Sequence, residues 1–142
     1  MDLLVNQTFS RLEIKMPFVR VTLKKGKPLE FKKNISSSIH QALMDAYAIP
    51  EDDLFQVIEE IDGENIIYPA SYMGIKHSSD IIYIAITAKI GRTVEMKKSL
   101  YEKIVDNIHA SNQHNKNDVV ITLMENSEAN WSFGNGEAQL VT

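Results

Sequence analysis

The 142-residue chain contains no cysteine. It therefore cannot form disulfides, and its chemistry cannot use a thiol nucleophile or a cysteine-based metal site. No apolar run approaches the ~18 residues of a membrane-spanning helix. The first residues also lack the basic segment and the apolar stretch of a signal peptide. We therefore expect a cytoplasmic protein that does not enter a membrane.

Positive charge is also scarce, with 15 Lys and Arg against 19 Asp and Glu and a net charge of −4. This balance argues against a protein that binds nucleic acid or anionic membranes. The glycines form no phosphate-binding motif. The four histidines show no ligand spacing, and His40 and His109 are expected on helix surfaces. We therefore predict no metal site and no cofactor.

What the chain does contain is an internal repeat. Residues 22–33 read TLKKGKPLEFKK and residues 87–98 read TAKIGRTVEMKK, 65 positions further on. The same offset aligns Ile39 with Ile104 and Asp53 with Asp118 without gaps. A long period that occurs twice indicates two copies of one supersecondary unit, because a solenoid needs roughly three or more.

Each copy reads as strand, turn, helix, loop and strand. The predicted strands are residues 17–23 and 55–61 in the first copy, and residues 81–88 and 119–124 in the second. The helices between them carry apolar stripes at helical spacing, namely Ile35, Ile39, Leu43 and Ala46, then Leu100, Ile104 and Ile108. A helix that joins two parallel strands makes a right-handed βαβ unit. We predict an α/β (α+β) fold, with units 17–61 and 81–125 in one four-stranded sheet and both helices on one face.

The other sheet face then needs cover. Residues 81–86 are apolar on both sides, which is typical of a strand buried on both faces, so we predict a homo-oligomer. Residues 62–79 are expected to connect the units, and the tail with Trp131 and Phe133 to form a C-terminal β-hairpin. Residues 1–15 are interpreted as an N-terminal extension of a single domain, residues 16–142.

Pro17 directly follows Met16 at the start of the first strand. If translation began at Met16 and this methionine were removed, the chain would begin with a free prolyl amine. An α-amine titrates at about 7.7–8.0, and an apolar pocket lowers that pKa. Such a group suits acid–base catalysis at neutral pH. The alternative is a structural proline, which the first position of a strand tolerates.

The repeat and the Met-Pro pair together resemble the tautomerase superfamily, which includes 4-oxalocrotonate tautomerase and macrophage migration inhibitory factor. Within it the chain is most similar to the malonate semialdehyde decarboxylases. Residues 125–134, ENSEANWSFG, carry the most specific similarity, and residues 45–56, DAYAIPEDDLFQ, are similar too. The resemblance implies a homotrimer without a cofactor that acts on a small oxo acid.

The resemblance also implies roles for particular residues. Pro17 matches the catalytic acid–base proline, Asp53 an aspartate that helps to activate water, and Arg92 an arginine that grips the substrate carboxylate. An arginine fork suits a planar carboxylate. The second arginine of the decarboxylases is absent, because Ile90 stands at its position. The loop is one residue longer here, which makes Lys89 the candidate second cation. The apolar wall around the proline is expected from three aromatic residues, Phe55, Trp131 and Phe133.

These residues are compatible with three functions. Tautomerisation of a 2-oxo acid needs the fewest groups, and decarboxylation or hydration of a 3-oxo acid such as malonate semialdehyde would use Asp53 as well. In the third, the chain is a non-catalytic interaction protein whose Pro17 is blocked by the extension. The extension itself has three explanations: a start codon assigned too early, removal by processing, or a genuine retained segment.

Overall fold

The structure, a computed structural model, describes residues 16–141. The predicted extension, residues 1–15, lies outside the described residues. The elements are β1 (Phe18–Lys24), α1 (Leu29–Tyr47), β2 (Gln56–Ile61), β3 (Ser71–Tyr72), β4 (Ile75–Lys76), β5 (Ile82–Lys89), α2 (Val94–Asn112) and β6 (Val119–Asn126). Short 3-10 turns lie at Gly63–Asn65, Lys116–Asp118 and Glu128–Asn130. No helix within the described range is long and apolar enough to cross a membrane.

Four strands form one sheet in the order β2-β1-β5-β6. β1 is parallel to β2 and β5 is parallel to β6, which confirms the two predicted βαβ units. The units meet along antiparallel β1 and β5, where Phe18 lies opposite Thr87 and Val21 opposite Ile84. The units are therefore related by an approximate two-fold axis. The strands of the sheet end on two opposite sides. We call the side where β1 begins and β5 finishes the Pro17 end, and the side where β5 begins and β1 finishes the Ile82 end.

Both helices cover the same sheet face, as predicted. Nearly all of the predicted stripe is at most 1% exposed: Ile35, Ile39, Leu43, Leu100, Ile104 and Ile108. Ala46 is only partly buried, and Ala42 and Tyr47 take the inner positions instead. Each large aliphatic side chain buried in this way contributes roughly 1.5–3 kcal/mol to the free energy of unfolding. This shared core fixes the positions of the loops at both sheet ends.

The turns before the two helices repeat as the sequence does. Thr93 caps α2, as predicted, because its hydroxyl accepts a hydrogen bond from the Met96 backbone N–H (3.2 Å). Pro28 precedes α1 without a side-chain cap. Gly26 and Gly91 have φ values of 110° and 116°, a conformation that only glycine adopts readily. The glycine shared by the two copies is therefore required by the turn.

The sheet face opposite the helices is open in the single chain. Along β5, Ile84 and Ile86 are 1% exposed on the helix side, whereas Ala85 is exposed and Tyr83 is half-buried on the open side. Three further apolar residues lie on or beside this open face with exposed fractions of 37%, 38% and 68%: Val57, Val120 and Met124. β5 thus alternates between a covered and an uncovered face, although residues 81–86 are all apolar.

The segments that follow the two units agree with the predicted connection and C-terminal reversal. The connection contains a short antiparallel hairpin, β3 with β4. After β6 the chain reverses direction as predicted, but it forms no strands there. The Gln139 side chain closes the reversal by accepting from the Phe133 N–H (2.9 Å) and donating to the Gly134 carbonyl (2.7 Å). Gly134, within this reversal, has a positive φ of 138°.

Candidate active site

Pro17 is buried directly before β1, at the middle of the Pro17 end. Its neighbour Phe18 pairs with Thr87 of β5. On the other side, the Val19 N–H donates to the Phe55 carbonyl (3.0 Å). Proline has no N–H, so this first position costs the sheet no ladder bond. Pro17 therefore lies between the start of β2 and the end of β5, where the other predicted residues emerge.

In this chain the Pro17 nitrogen is an amide nitrogen, because Met16 precedes it. Met16 is 0% exposed and has a φ of 58°, in the left-handed region that non-glycine residues rarely adopt. An amide nitrogen cannot act as a base. Acid–base chemistry at Pro17 consequently requires a form of the chain that begins with this residue.

The three predicted aromatic residues form one cluster. Trp131 and Phe133 stack with their ring centres 5.5 Å apart, and Phe133 lies 5.7 Å from Phe55. The Trp131 indole N–H donates to the Asn126 side chain at the end of β6. Aromatic side chains at these separations stabilise one another beyond their burial. The C-terminal reversal is thereby fastened to the start of β2, next to Val19 and Pro17.

Arg92 lies in the turn between β5 and α2. Its Nη1 donates to the Lys89 carbonyl (2.6 Å), and its Cζ lies 4.5 Å from the centre of the Tyr47 ring, within the range of a cation–π interaction. Burial lowers the pKa of Arg92, whereas Tyr47, Glu125 and Asp53 raise it. A guanidinium group stays charged in proteins at neutral pH. Arg92 is thus a half-buried, oriented cation.

Asp53 lies in the loop between α1 and β2 and is 7% exposed. Its charge raises the pKa of Arg92, so the structure brings these two predicted residues into one electrostatic environment. Its backbone N–H donates to the Pro50 carbonyl (3.1 Å). A carboxylate this buried needs compensating partners, and the neighbouring guanidinium supplies part of that compensation.

His40 fastens the same loop, contrary to the predicted surface position. It is 8% exposed, and its Nε2 donates to the Glu51 carbonyl (2.7 Å). His109 is exposed, as predicted. The periodicity placed both on helices but could not distinguish their faces, because the burial of His40 depends on the loop that follows α1. In residues 16–141 no three His, Asp or Glu side chains are grouped as metal ligands would be.

Lys89, the candidate second cation, forms an ion pair with Glu128. Its Nζ lies 2.7 Å from Oε1, and the two side chains are 37% and 46% exposed. Such an exposed pair contributes only about 0–1 kcal/mol, so a substrate carboxylate can compete for the lysine. Ile90, where the resemblance led us to look for a second arginine, is 54% exposed and offers no charge.

Tyr47 and Glu125 also belong to the Pro17 end, although neither stands out in the sequence. Burial raises the pKa of Tyr47 to about 12, against a lowering effect of Arg92. The Tyr47 hydroxyl finds no hydrogen-bond partner among the described residues. Glu125 accepts from Lys97 Nζ (2.8 Å). The repeat holds a signal for Tyr47, because Asn112 occupies its position in the second copy.

The chain belongs to the tautomerase family. One model described as tautomerase enzyme matches residues 17–71, starting at Pro17, and a second with the same description matches residues 53–134. The chain is 39% identical over 126 residues to the probable tautomerase YusQ of Bacillus subtilis (strain 168), which covers 89% of this chain and 99% of that protein. The probable tautomerase YrdN of the same organism is 26% identical over 127 residues, or 89% and 98% of the two chains.

Solved structures agree with this assignment. An FG41 malonate semialdehyde decarboxylase inhibited by 3-bromopropiolate has a TM-score of 0.81 and 30% identity, covering 86% of this chain and 92% of that one. A symmetric trimer of fused 4-OT has a TM-score of 0.71 at 18% identity, covering 87% and 96%. The second similarity shows the fold alone.

Proposed function

We propose that a form of this chain beginning at Pro17 is a tautomerase that interconverts the keto and enol forms of a small 2-oxo acid. One observation carries the proposal: a buried proline, a half-buried guanidinium and a cluster of three aromatic rings all belong to the Pro17 end of the sheet. At the same place in the second copy stands Ile82, an ordinary core residue that is 1% exposed. The tautomerase match that begins at Pro17 supports the assignment.

The free Pro17 amine takes the proton from the enol hydroxyl and returns a proton to carbon 3, while the enol double bond shifts to become the carbonyl. The exchange leaves the amine unchanged. Arg92 binds the substrate carboxylate, assisted by Lys89 once this lysine leaves Glu128. Charge-assisted bonds of this kind are roughly twice as strong as neutral ones. The three aromatic residues limit water near the amine, which lowers its pKa toward neutrality.

The form that begins at Pro17 is itself part of the proposal. The match to one tautomerase model begins at Pro17, and the alignment with YusQ spans 89% of this chain but 99% of that protein. We propose that translation starts at Met16 and that this methionine is removed. Processing of a longer chain would give the same product.

The proposal is tested by preparing the full chain and the chain that begins at Pro17, and by assaying both with phenylenolpyruvate. We expect ketonisation by the shorter chain alone. Pro17→Ala in the shorter chain keeps an amino-terminal amine but loses the ring, and we expect a large loss of kcat. Circular dichroism of all three proteins verifies folding. An inert but folded shorter chain, or a fully active Pro17→Ala variant, would contradict the proposal.

Decarboxylation or hydration of a 3-oxo acid is a second candidate. The similarity to FG41 malonate semialdehyde decarboxylase and the buried Asp53 beside Arg92 favour it. Asp53 would orient the water, and the cationic Pro17 amine would polarise the substrate carbonyl. Carbon dioxide release from malonate semialdehyde measures this activity, and Asp53→Asn should abolish it while phenylenolpyruvate turnover persists. Equal losses of both activities would argue against the separate role of Asp53.

A non-catalytic role is the third candidate. It is favoured by Met16, which is fully buried and keeps the Pro17 nitrogen in an amide. The mass of the amino terminus of the protein isolated from its native host decides between the forms. A terminus at Pro17 supports the enzyme, whereas an intact Met1 supports the interaction protein.

We further propose that the chain forms a homotrimer through the open sheet face. Val57, Val120 and Met124 leave apolar surface on this side, and fused 4-OT, which shares the fold, forms a symmetric trimer. Val120→Lys should give monomers in analytical ultracentrifugation. Val94→Lys is the matched control, because Val94 is 60% exposed but lies on the helix side. A wild-type monomer at micromolar concentration would refute this assembly.

A further inference from the structure

The ring of Tyr47 underlies the guanidinium of Arg92. Tyr47 is the last residue of α1, is 2% exposed and belongs to the hydrophobic core. Side chains in a packed interior hold single rotamers, so this ring is a rigid platform. The distance of 4.5 Å from Arg92 Cζ to the ring centre places the cation over its face.

A second contact fixes the same group from the side. The Arg92 Nη1 donates to the Lys89 carbonyl over 2.6 Å, and this carbonyl belongs to the last residue of β5. A ring from the end of α1 and a carbonyl from the end of β5 thus restrain one guanidinium. An arginine side chain otherwise retains many rotamers, and a fork that is already oriented loses less entropy when it binds a carboxylate.

The other copy shows that the fold does not require this arrangement. Asn112 replaces Tyr47 there, and its Nδ2 donates to the Phe31 carbonyl (3.1 Å). The turn cation Lys27 stacks on Phe31 at 4.9 Å and also forms an ion pair with Asp80 (3.1 Å). Lys27 therefore contacts an aromatic ring from the start of α1, whereas Arg92 contacts a ring from the end of α1.

We propose that Tyr47 is a positioning residue that orients the Arg92 fork for a substrate carboxylate, and that its ring rather than its hydroxyl does so. The inference rests on the proposed function, since it assigns Arg92 to the carboxylate. The hydroxyl is buried and has no hydrogen-bond partner among the described residues, so its removal should leave the position of the ring unchanged.

The geometric part is tested on the full chain by nuclear magnetic resonance of the Arg92 Nε–Hε group. Wild type and Tyr47→Phe should show a ring-current-shifted signal that exchanges slowly with water. Tyr47→Leu should lose the shift and exchange at least several-fold faster. Phe31→Leu, which removes the ring beneath Lys27, is the matched control and should leave the Arg92 signal unchanged. An unaltered Arg92 signal in Tyr47→Leu overturns the proposal.

The functional part is tested in whichever form of the chain turns over phenylenolpyruvate. Tyr47→Leu should raise KM about fivefold to tenfold with kcat nearly unchanged, and Tyr47→Phe should retain the wild-type KM. An equal rise in KM for Tyr47→Phe would assign the role to the hydroxyl and overturn the proposal, as would an unchanged KM in Tyr47→Leu. Failure of the proposed function can be told apart from failure of this inference. If the proposed function is wrong, no form of the chain turns over phenylenolpyruvate, but the Arg92 signal still responds to the loss of the Tyr47 ring.

Discussion

The two ends of the sheet are built from the same repeated unit, but their polar groups are used differently. At the Ile82 end, Asp118 is 2% exposed and accepts from the Ser78 backbone N–H (2.7 Å) and hydroxyl (2.5 Å). Lys27 there forms an ion pair with Asp80. The fold itself accounts for these partners, so this end reads as structural.

At the Pro17 end the counterparts of Asp118 and Lys27 are Asp53 and Arg92, which lie in one electrostatic environment. Other parts of the unit are duplicated faithfully: Lys32 binds Glu60 at 2.7 Å and Lys97 binds Glu125 at 2.8 Å. The repeat thus supplies the same frame twice. The candidate site adds residues that differ between the copies, Pro17 and Arg92, to an aspartate that both copies contain.

The largest expected effect is a difference in activity between variants of Arg92 and Lys27, which occupy the same turn position in the two copies. Arg92→Ala should lower kcat/KM for phenylenolpyruvate about 100-fold in the active form, because a charged hydrogen bond to the substrate is lost. Lys27→Ala, at the same place in the other copy, should stay within about twofold of wild type. Steady-state kinetics on both variants checks this. Similar losses in the two variants would remove the functional distinction between the ends.

The next effect distinguishes Asp118, which we expect to stabilise the fold, from Asp53, which we expect to act in turnover. Asp118→Asn should lower the free energy of unfolding by about 1–3 kcal/mol, because a buried acceptor of two hydrogen bonds is altered, and should leave kcat per folded molecule unchanged. Asp53→Asn should instead change turnover of a 3-oxo acid. Urea denaturation measures the first effect, and kinetics the second. A catalytic defect in Asp118→Asn as large as that in Asp53→Asn would contradict the assignment.

The smallest effect concerns acid stability at the Ile82 end. Hydrogen bonds from Lys27 and Lys24 hold the pKa of Asp80 below its ordinary value, about 3.9. Because the pKa of Asp80 is lower in the folded protein than in the unfolded chain, its ion pairs stabilise the fold at pH values above the unfolded-state pKa. This stabilisation is lost as the pH falls through the folded-state pKa. Lys27→Met should therefore flatten the decline in stability below about pH 4, by less than about 1 kcal/mol since Asp80 is partly exposed. Denaturation at pH 3 and pH 6 measures the difference, and an unchanged slope would show that Lys27 does not stabilise the carboxylate.

Much of the fold could be predicted from the repeat. The offset that aligned Ile39 with Ile104 also fixed strand-helix-strand order, and the shared glycines marked the turns before both helices. The C-terminal reversal was harder, because its closure depends on the Gln139 side chain rather than on strand periodicity. The contact of β1 with β5 was not deduced either, since a repeat describes each unit but not how the two units meet.

The candidate site was predictable where a motif carried it. Pro17, Arg92 and the aromatic residues followed from the resemblance, and the structure places Arg92 and Asp53 in one environment. Tyr47 is absent from the predicted site because the helical periodicity assigned the inner position at the end of α1 to Ala46 instead. The pairing of Lys89 with Glu128 was missed as well, because 39 positions separate them and only the fold brings them together.

A 15N titration of the Pro17 nitrogen, in the chain that begins with this residue, tests most directly whether Pro17 is the catalytic base. We predict a pKa below the ordinary α-amine range of about 7.7–8.0, and the same pKa in the acidic limb of kcat/KM for phenylenolpyruvate. A nitrogen that titrates above this range, or a rate that does not follow its deprotonation, would contradict the claim that Pro17 is the catalytic base.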